Sequence, residues 1–213
     1  MFVSDWMSTH VYTVSSDSPL SDAAKLLREK KIKHLPVVDK KNAVIGVLSD
    51  RDIKEYMPSK ATTLDVFELH NVLLETKVSK VMKKKVFTAK PDLPIEKAAM
   101  LMYDNNIGCL PIVANNKLVG IISDRDLFRV LVDITGVRQG GERFYVVMPD
   151  KLGVTGEVLD IIKKHGFRLD SVLTTYEGVQ KGYKRVVVRT AGEKGNVEAA
   201  NLELNRLFGA PFL

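Results

Sequence analysis

Apolar positions recur at helical spacing and then in short β-branched runs, and the same succession occurs twice. Behind Pro19, the residues Ala23, Ala24, Leu26 and Leu27 follow a three-to-four spacing that predicts an amphipathic helix with proline at its entry. Ala98, Ala99, Leu101 and Met102 repeat it behind Pro94. Two runs then flank a polar turn and predict a hairpin: Leu35 to Val38 and Val44 to Leu48 around Asp39 to Asn42. The copy has Leu110 to Val113 and Leu118 to Ile122 around Ala114 to Lys117. A second helix opens at Ser49 or Ser123 and carries Ile53 or Leu127 inward. With Val14 or Ala89 in a preceding strand, each repeat reads strand, helix, strand, strand, helix. The offset is 75 residues up to the hairpin turn and 74 beyond it. Repeats of this size bury a sheet against their twin and leave clefts between the halves.

The pattern changes outside the repeats. Between them, Leu64, Phe67, Leu69, Val72 and Leu73 share one face of a predicted connecting helix, with His70 packed rather than catalytic. After Thr135, glycines at 136, 140 and 141 predict a hinge over residues 136–142. Beyond it come a strand from Arg143 to Met148, a helix from Val154 to His165, strands from Leu169 to Tyr176 and Lys184 to Thr190, and a helix from Asn196 to Phe208. The expected organisation is therefore a paired-repeat module over 1–135, with repeats at about 1–57 and 77–135 joined by a connector at 58–76. A second domain follows over 143–213. The fold class is α/β in the mixed, α+β sense.

Composition narrows the function classes. The 213 residues are 45% hydrophobic and 27% charged, an ordinary globular balance. No apolar run reaches membrane-spanning length, and the first residues lack the basic and apolar regions of a secretory signal, so a cytoplasmic location is expected. The net charge of +6 is spread along the chain; Lys83-Lys84-Lys85 is the tight basic cluster, and a solvated lysine run is its expected reading. A nucleic-acid-binding regulator using Lys83 to Lys85 stands as the alternative. The single cysteine, Cys109, and the four histidines show no zinc spacing. No nucleophile stands beside a base and an orienting acid, so no catalytic residue or metal site is assigned, and a nucleotide-hydrolysing enzyme ranks last.

The order Met, Thr, helix, Ile-x-x-Leu-Pro-Val/Ile-Val and Gly-hydrophobic-hydrophobic-Ser-Asp-Arg-Asp, present twice, resembles the tandem CBS domain pair. The resemblance implies a pseudo-twofold module that dimerises and binds adenosine compounds such as AMP, ADP, ATP or S-adenosylmethionine as regulatory ligands, with no cofactor required. In that family a Ser/Thr-x-x-Asp element holds the nucleotide, which carries over to Ser49 with Asp52 and to Ser123 with Asp126. The chemistry is reasonable, since a carboxylate accepts from two ribose hydroxyls and helix N–H groups face an anion. Ser-x-x-Asp is equally a helix capping box, and the two roles are compatible.

The clefts are expected to differ. Lys33-His34 in the first repeat stands where the second has Gly108-Cys109, so the first cleft better suits a phosphorylated ligand. The alternative is a surface Lys33 and a satisfied structural His34. Thr13 and Thr88 are expected on the cleft wall. Arg51 and Arg125 either reach phosphate or pair with Asp50 and Asp124.

The C-terminal segment, read as a ferredoxin-like βαββα arrangement, resembles an ACT domain, the βαββαβ module that senses amino acids. The resemblance implies binding near the first strand-to-helix turn, at Asp150, Leu152 and Gly153, with Asp150 meeting the ligand ammonium. Gly153 alternatively lets helix and strand approach closely. Gly209 to Leu213 leaves almost no room for a fourth strand, so the sheet is expected to be incomplete or finished by another chain. A CBS pair followed by an ACT-like domain resembles acetoin-utilisation AcuB-type regulators, implying an allosteric sensor, a homodimer and a regulated protein partner.

Overall fold

The computed structural model describes residues 1–57, 66–192 and 195–209, with backbone only for 66–70. It divides into two compact units, Met1–Leu127 and Phe128–Leu213. In the first unit, a helical turn at Val3–Asp5 precedes β1 (Val14–Ser15), α1 (Leu20–Lys30), β2 (His34–Val38), β3 (Val44–Ser49) and α2 (Asp50–Tyr56). After α3 (Val66–Glu75) and α4 (Val78–Val81) come α5 (Ile95–Asp104), β4 (Cys109–Ala114), β5 (Lys117–Ser123) and α6 (Asp124–Ile134). The division between the units falls inside α6, ahead of the glycine-rich stretch.

The helical spacing produces the expected faces. Leu20, Ala23 and Leu27 of α1 and Ile95, Ala98 and Met102 of α5 are buried. Ala24, Leu26, Ala99 and Leu101 are half-buried at the rim. Both helices end through a left-handed residue, Lys31 at φ 53° and Asn106 at φ 51°. In the first repeat β1 runs parallel to β2 and β3 antiparallel. In the second, the first strand shrinks to one parallel bridge, Ala89 to Ile112, beside the β4–β5 hairpin. Ile53 is buried but Leu127 is only half-buried; Val130, one turn further, takes the inward place.

The hairpin turns explain the change of offset. In the first, Asp39 N–H donates to the Ala43 carbonyl, leaving the loop Lys40-Lys41-Asn42 with Asn42 at φ 62°. In the second, Ala114 pairs with Lys117 around Asn115-Asn116, both at positive φ, as a two-residue type I′ turn requires. A three-residue loop against a two-residue loop is the missing residue.

The repeats exchange their entry segments. Ser8 pairs with Ile121, and Lys83, 75 residues on, pairs with Val47. Val78 is fully buried in the core of the first repeat, with Leu20, Leu35, Val37 and Leu48. Its twin Val3, also fully buried, donates its N–H to the Leu93 carbonyl of the second repeat. Residues 1–8, first in sequence, thus complete the second repeat in space. Gly46 and Gly120 permit this, because a Cβ there would lie 2.5 Å from Met82 Sδ and 2.5 Å from Met7 Sδ respectively. Of the predicted connector helix, α3 supplies Val66–Glu75, with Val72 and Leu73 half-buried. Leu64 and the side chains of Phe67, Leu69 and His70 lie outside the described residues.

The second unit holds β6 (Arg143–Pro149), α7 (Val154–Lys164), β7 (Leu169–Thr175), β8 (Tyr183–Thr190) and α8 (Val197–Phe208). The sheet order is β6-β8-β7, antiparallel throughout, the split βαβ arrangement of ferredoxin-like folds. Phe144, Val146, Met148, Val186 and Val188 on one sheet face bury against Val158, Ile161, Ile162, Ala200 and Leu204 of the helices. Asn196 caps α8 by accepting from Ala199 N–H at 3.0 Å.

Candidate functional site

The two Ser-x-x-Asp elements fold alike, each closing a strand and opening a helix. Ser49 backbone N–H donates to Asp52 Oδ2 at 2.8 Å, the Ser49 hydroxyl donates to the same oxygen, and Asp52 N–H donates to Ser49 Oγ at 3.2 Å. Ser123 N–H and Oγ reach Asp126 Oδ2 at 2.9 and 2.7 Å. The first is a complete capping box, so the capping reading holds there. Asp52 is nonetheless only 8% exposed, and a carboxylate that buried requires charged or hydrogen-bonding partners. Lys83 Nζ supplies one, 3.2 Å from Asp52 Oδ1.

His34 lies directly across the ladder from Ser49, as Cys109 does from Ser123. The strand starts are tied to the helices, since Asp50 N–H donates to the Lys33 carbonyl and Asp124 N–H to that of Gly108, each at 3.1 Å. His34 occupies the space beside Gly108, where a Cβ would lie 2.7 Å from Nε2. Burial pushes the His34 pKa below its ordinary value, against the opposing pull of Asp124, Asp50 and Asp52, with Lys33 adding to the depression. The imidazole is therefore harder to protonate than a free histidine and is neutral at neutral pH. Burial also pushes the Cys109 thiol up to about 12, which makes it an inert core group.

Around the first Ser-x-x-Asp element the structure thus gathers His34, Ser49, Asp52 and Lys83; the matching positions are Cys109, Ser123, Asp126 and Ser8. Lys33 is exposed. Thr13, half-buried, and Thr88, exposed, precede Val14 and Ala89 on the outer side of β2 and β4. Arg51 pairs with Glu55 at 2.7 Å rather than with Asp50, which takes Lys54 at 3.0 Å. Arg125 uses its backbone N–H to bond Asp124 Oδ1 at 2.7 Å.

Lys83 is the residue that local pattern misses. Its place in a lysine run suggests a solvated charge, whereas two backbone bonds to Val47 hold it beside the first repeat. The available signal is the repeat offset, which equates Lys83 with Ser8 and marks both as followers of the Met82 and Met7 that pack on the glycines. Lys85 lies over the Phe87 ring at 5.4 Å, so two of the three lysines are engaged within the fold.

In the second unit, Asp150 Oδ1 pairs with Lys184 Nζ at 3.0 Å and Leu152 is fully exposed. Gly153 has φ 88° and open space where a Cβ would stand, so its backbone conformation, not close approach, calls for glycine. A shallow depression of about 550 Å³ lies elsewhere in this unit, lined by Lys163 and Gly166 to Leu169. Among the described residues no three His, Cys, Asp or Glu gather as a metal site. No helix among them is long and apolar enough to cross a membrane.

The doubled element agrees with the comparison to known families: the CBS domain model matches residues 3–59 and 78–133. The chain belongs to the CBS domain family. Its CBS pair is 35% identical over 130 residues to a homoserine O-acetyltransferase of Methanosalsum zhilinae, covering 61% of this chain and 24% of that protein. The chain thus spans about a quarter of the length of that enzyme. The uncharacterized protein MJ1426 of Methanocaldococcus jannaschii is 34% identical, over 62% of this chain and 92% of its own.

Among solved structures, the CBS pair of protein MJ0100, in complex with 5′-methylthioadenosine and S-adenosyl-L-methionine, is 27% identical with a TM-score of 0.53. It covers 62% of this chain and 97% of that one. CBSX2 in complex with AMP is 27% identical with a TM-score of 0.53, over 62% and 97%. The acetoin utilization protein AcuB from Vibrio cholerae is 30% identical with a TM-score of 0.55, over 67% and 98%.

Proposed function

We propose that this CBS pair is a non-catalytic sensor of an adenosine compound, with Asp52 and Asp126 each receiving a ribose. The observation that carries the reading is the pair of Ser-x-x-Asp elements, in which the serine N–H and hydroxyl both fix one carboxylate oxygen, Oδ2, at the start of a helix. The adenosine ligands of the MJ0100 and CBSX2 structures support it. The ligand biases one arrangement of the pair over another, and it does so only by its difference in affinity between them. A second copy is the partner we assign to α5, where Met100 and Tyr103, one turn apart, are exposed opposite the buried face.

Isothermal titration with AMP, ADP, ATP and S-adenosylmethionine tests the reading. Asp52→Ala and Asp126→Ala each remove a charged acceptor with a worth of about 1.5–3 kcal/mol, so each weakens its own cleft roughly tenfold to a hundredfold. Equal affinity in wild type and the double variant sinks the assignment.

For the second unit we propose an ACT-like domain, supported by the β6-β8-β7 order. An amino acid at Asp150 would have to displace Lys184, so this site ranks behind the CBS clefts. The nucleic-acid alternative is weakened by the engagement of Lys83 with Asp52 and of Lys85 with Phe87.

A further inference from the structure

We propose that Lys83 is the specificity-determining residue of the first cleft, making it select adenosine compounds with a negative charge on the 5′ side over neutral ones. The inference rests on the adenosine reading and names the ligand class of one of its two sites. The Asp52 side chain is 7% exposed and that of Lys83 is 69% exposed, so the carboxylate is rooted while the ammonium is reachable from solvent. Ser49 already supplies two donors to Oδ2, and Lys83 sits on Oδ1. A ribose donating both hydroxyls to this carboxylate needs acceptor positions on the oxygen that Lys83 holds.

Binding therefore loosens the ion pair and leaves an ammonium beside the ligand. The lysine cannot leave with it, because reciprocal backbone bonds to Val47 at 3.0 and 2.9 Å keep its main chain at the cleft. With a neutral ligand the ammonium has lost its anion; with a 5′ phosphate it exchanges one anion for another. Lys83 accordingly acts on selectivity more than on affinity as such. The neutral His34 adds no competing cation, and Asp50 is occupied by Lys54. At the position equivalent to Lys83, the second repeat has Ser8, bonded to Ile121 as Lys83 is to Val47, and this residue brings no charge.

The test uses the full chain with Asp126→Ala, so that the weakened second cleft separates from the first in the titration, and it is run with AMP and with adenosine. Lys83→Ser reproduces the residue its twin position already carries with the same backbone pairing, so the variant retains the fold. We expect it to lower the AMP-to-adenosine affinity ratio about tenfold, with Lys83→Arg keeping the wild-type ratio. In an Asp52→Ala background, where the second cleft reports, Lys83→Ser should leave the ratio unchanged. An equal change for both ligands, or tighter AMP binding in Lys83→Ser, overturns the proposal, since Lys83 would then be a lid on Asp52. Failure of both ligands to bind any form overturns the adenosine reading itself, an outcome distinct from binding with an unaltered ratio.

Discussion

At the scale of single residues, the cleft depends on how burial handles charge. His34 has a folded-state pKa below its ordinary 6.5, so the unfolded chain binds more protons over the interval between the two values. The stability associated with the neutral ring is present above that ordinary value and is lost as pH falls through the folded pKa. Lowering the pH from about 7.5 to about 5.5 should depress the wild-type melting temperature more than that of His34→Gln, which has nothing to titrate. Equal depressions would mean that the ring is solvated. Sequence showed which residues carry charge here, and Ser49 with Asp52 was legible from spacing alone. The neutral state of His34 and the pairing of Lys83 were not, because desolvation and distance belong to the folded chain.

At the scale of elements, the repeat works through exchanged entry segments. Met82 and Met7 lie against Gly46 and Gly120, and the Lys83 and Ser8 carbonyls come 3.3 and 3.2 Å from where a Cβ would stand. Gly46→Ala should therefore cost about 1–3 kcal/mol by overpacking, read as a lower urea midpoint. Part of that cost should vanish in a Met82→Ala background, because the sulfur is what must move. Additive costs would show that the glycine answers to something else. Helices and hairpins were readable because their periods are local. The Asn115-Asn116 turn was readable as a hairpin, yet its type I′ geometry and the left-handed Asn42 became visible only with backbone angles. Equally invisible was the crossing of residues 1–8 to the second repeat, since a strand pairing dozens of residues away leaves no periodic trace.

At the scale of the molecule, two units have separate cores. Gly141 belongs to the second, at φ 77°, where a Cβ would fall 1.9 Å from the Thr190 carbonyl oxygen. Gly141→Ala should disrupt the bonds between Glu142 and Thr190 and lower the unfolding temperature of that unit, while titration with AMP keeps its wild-type affinity. Loss of AMP binding in this variant would show that the clefts depend on the second unit. By itself the sequence determined the doubled strand-helix-hairpin-helix plan, the Ser-x-x-Asp elements and the βαββα order of the C-terminal part, because each is written in periodicity and local spacing. Only the tertiary structure decided which repeat each entry segment completes, that Lys83 meets Asp52, and that burial disfavours a charged His34. Those outcomes follow from long-range pairing and burial, which act between residues far apart in the chain.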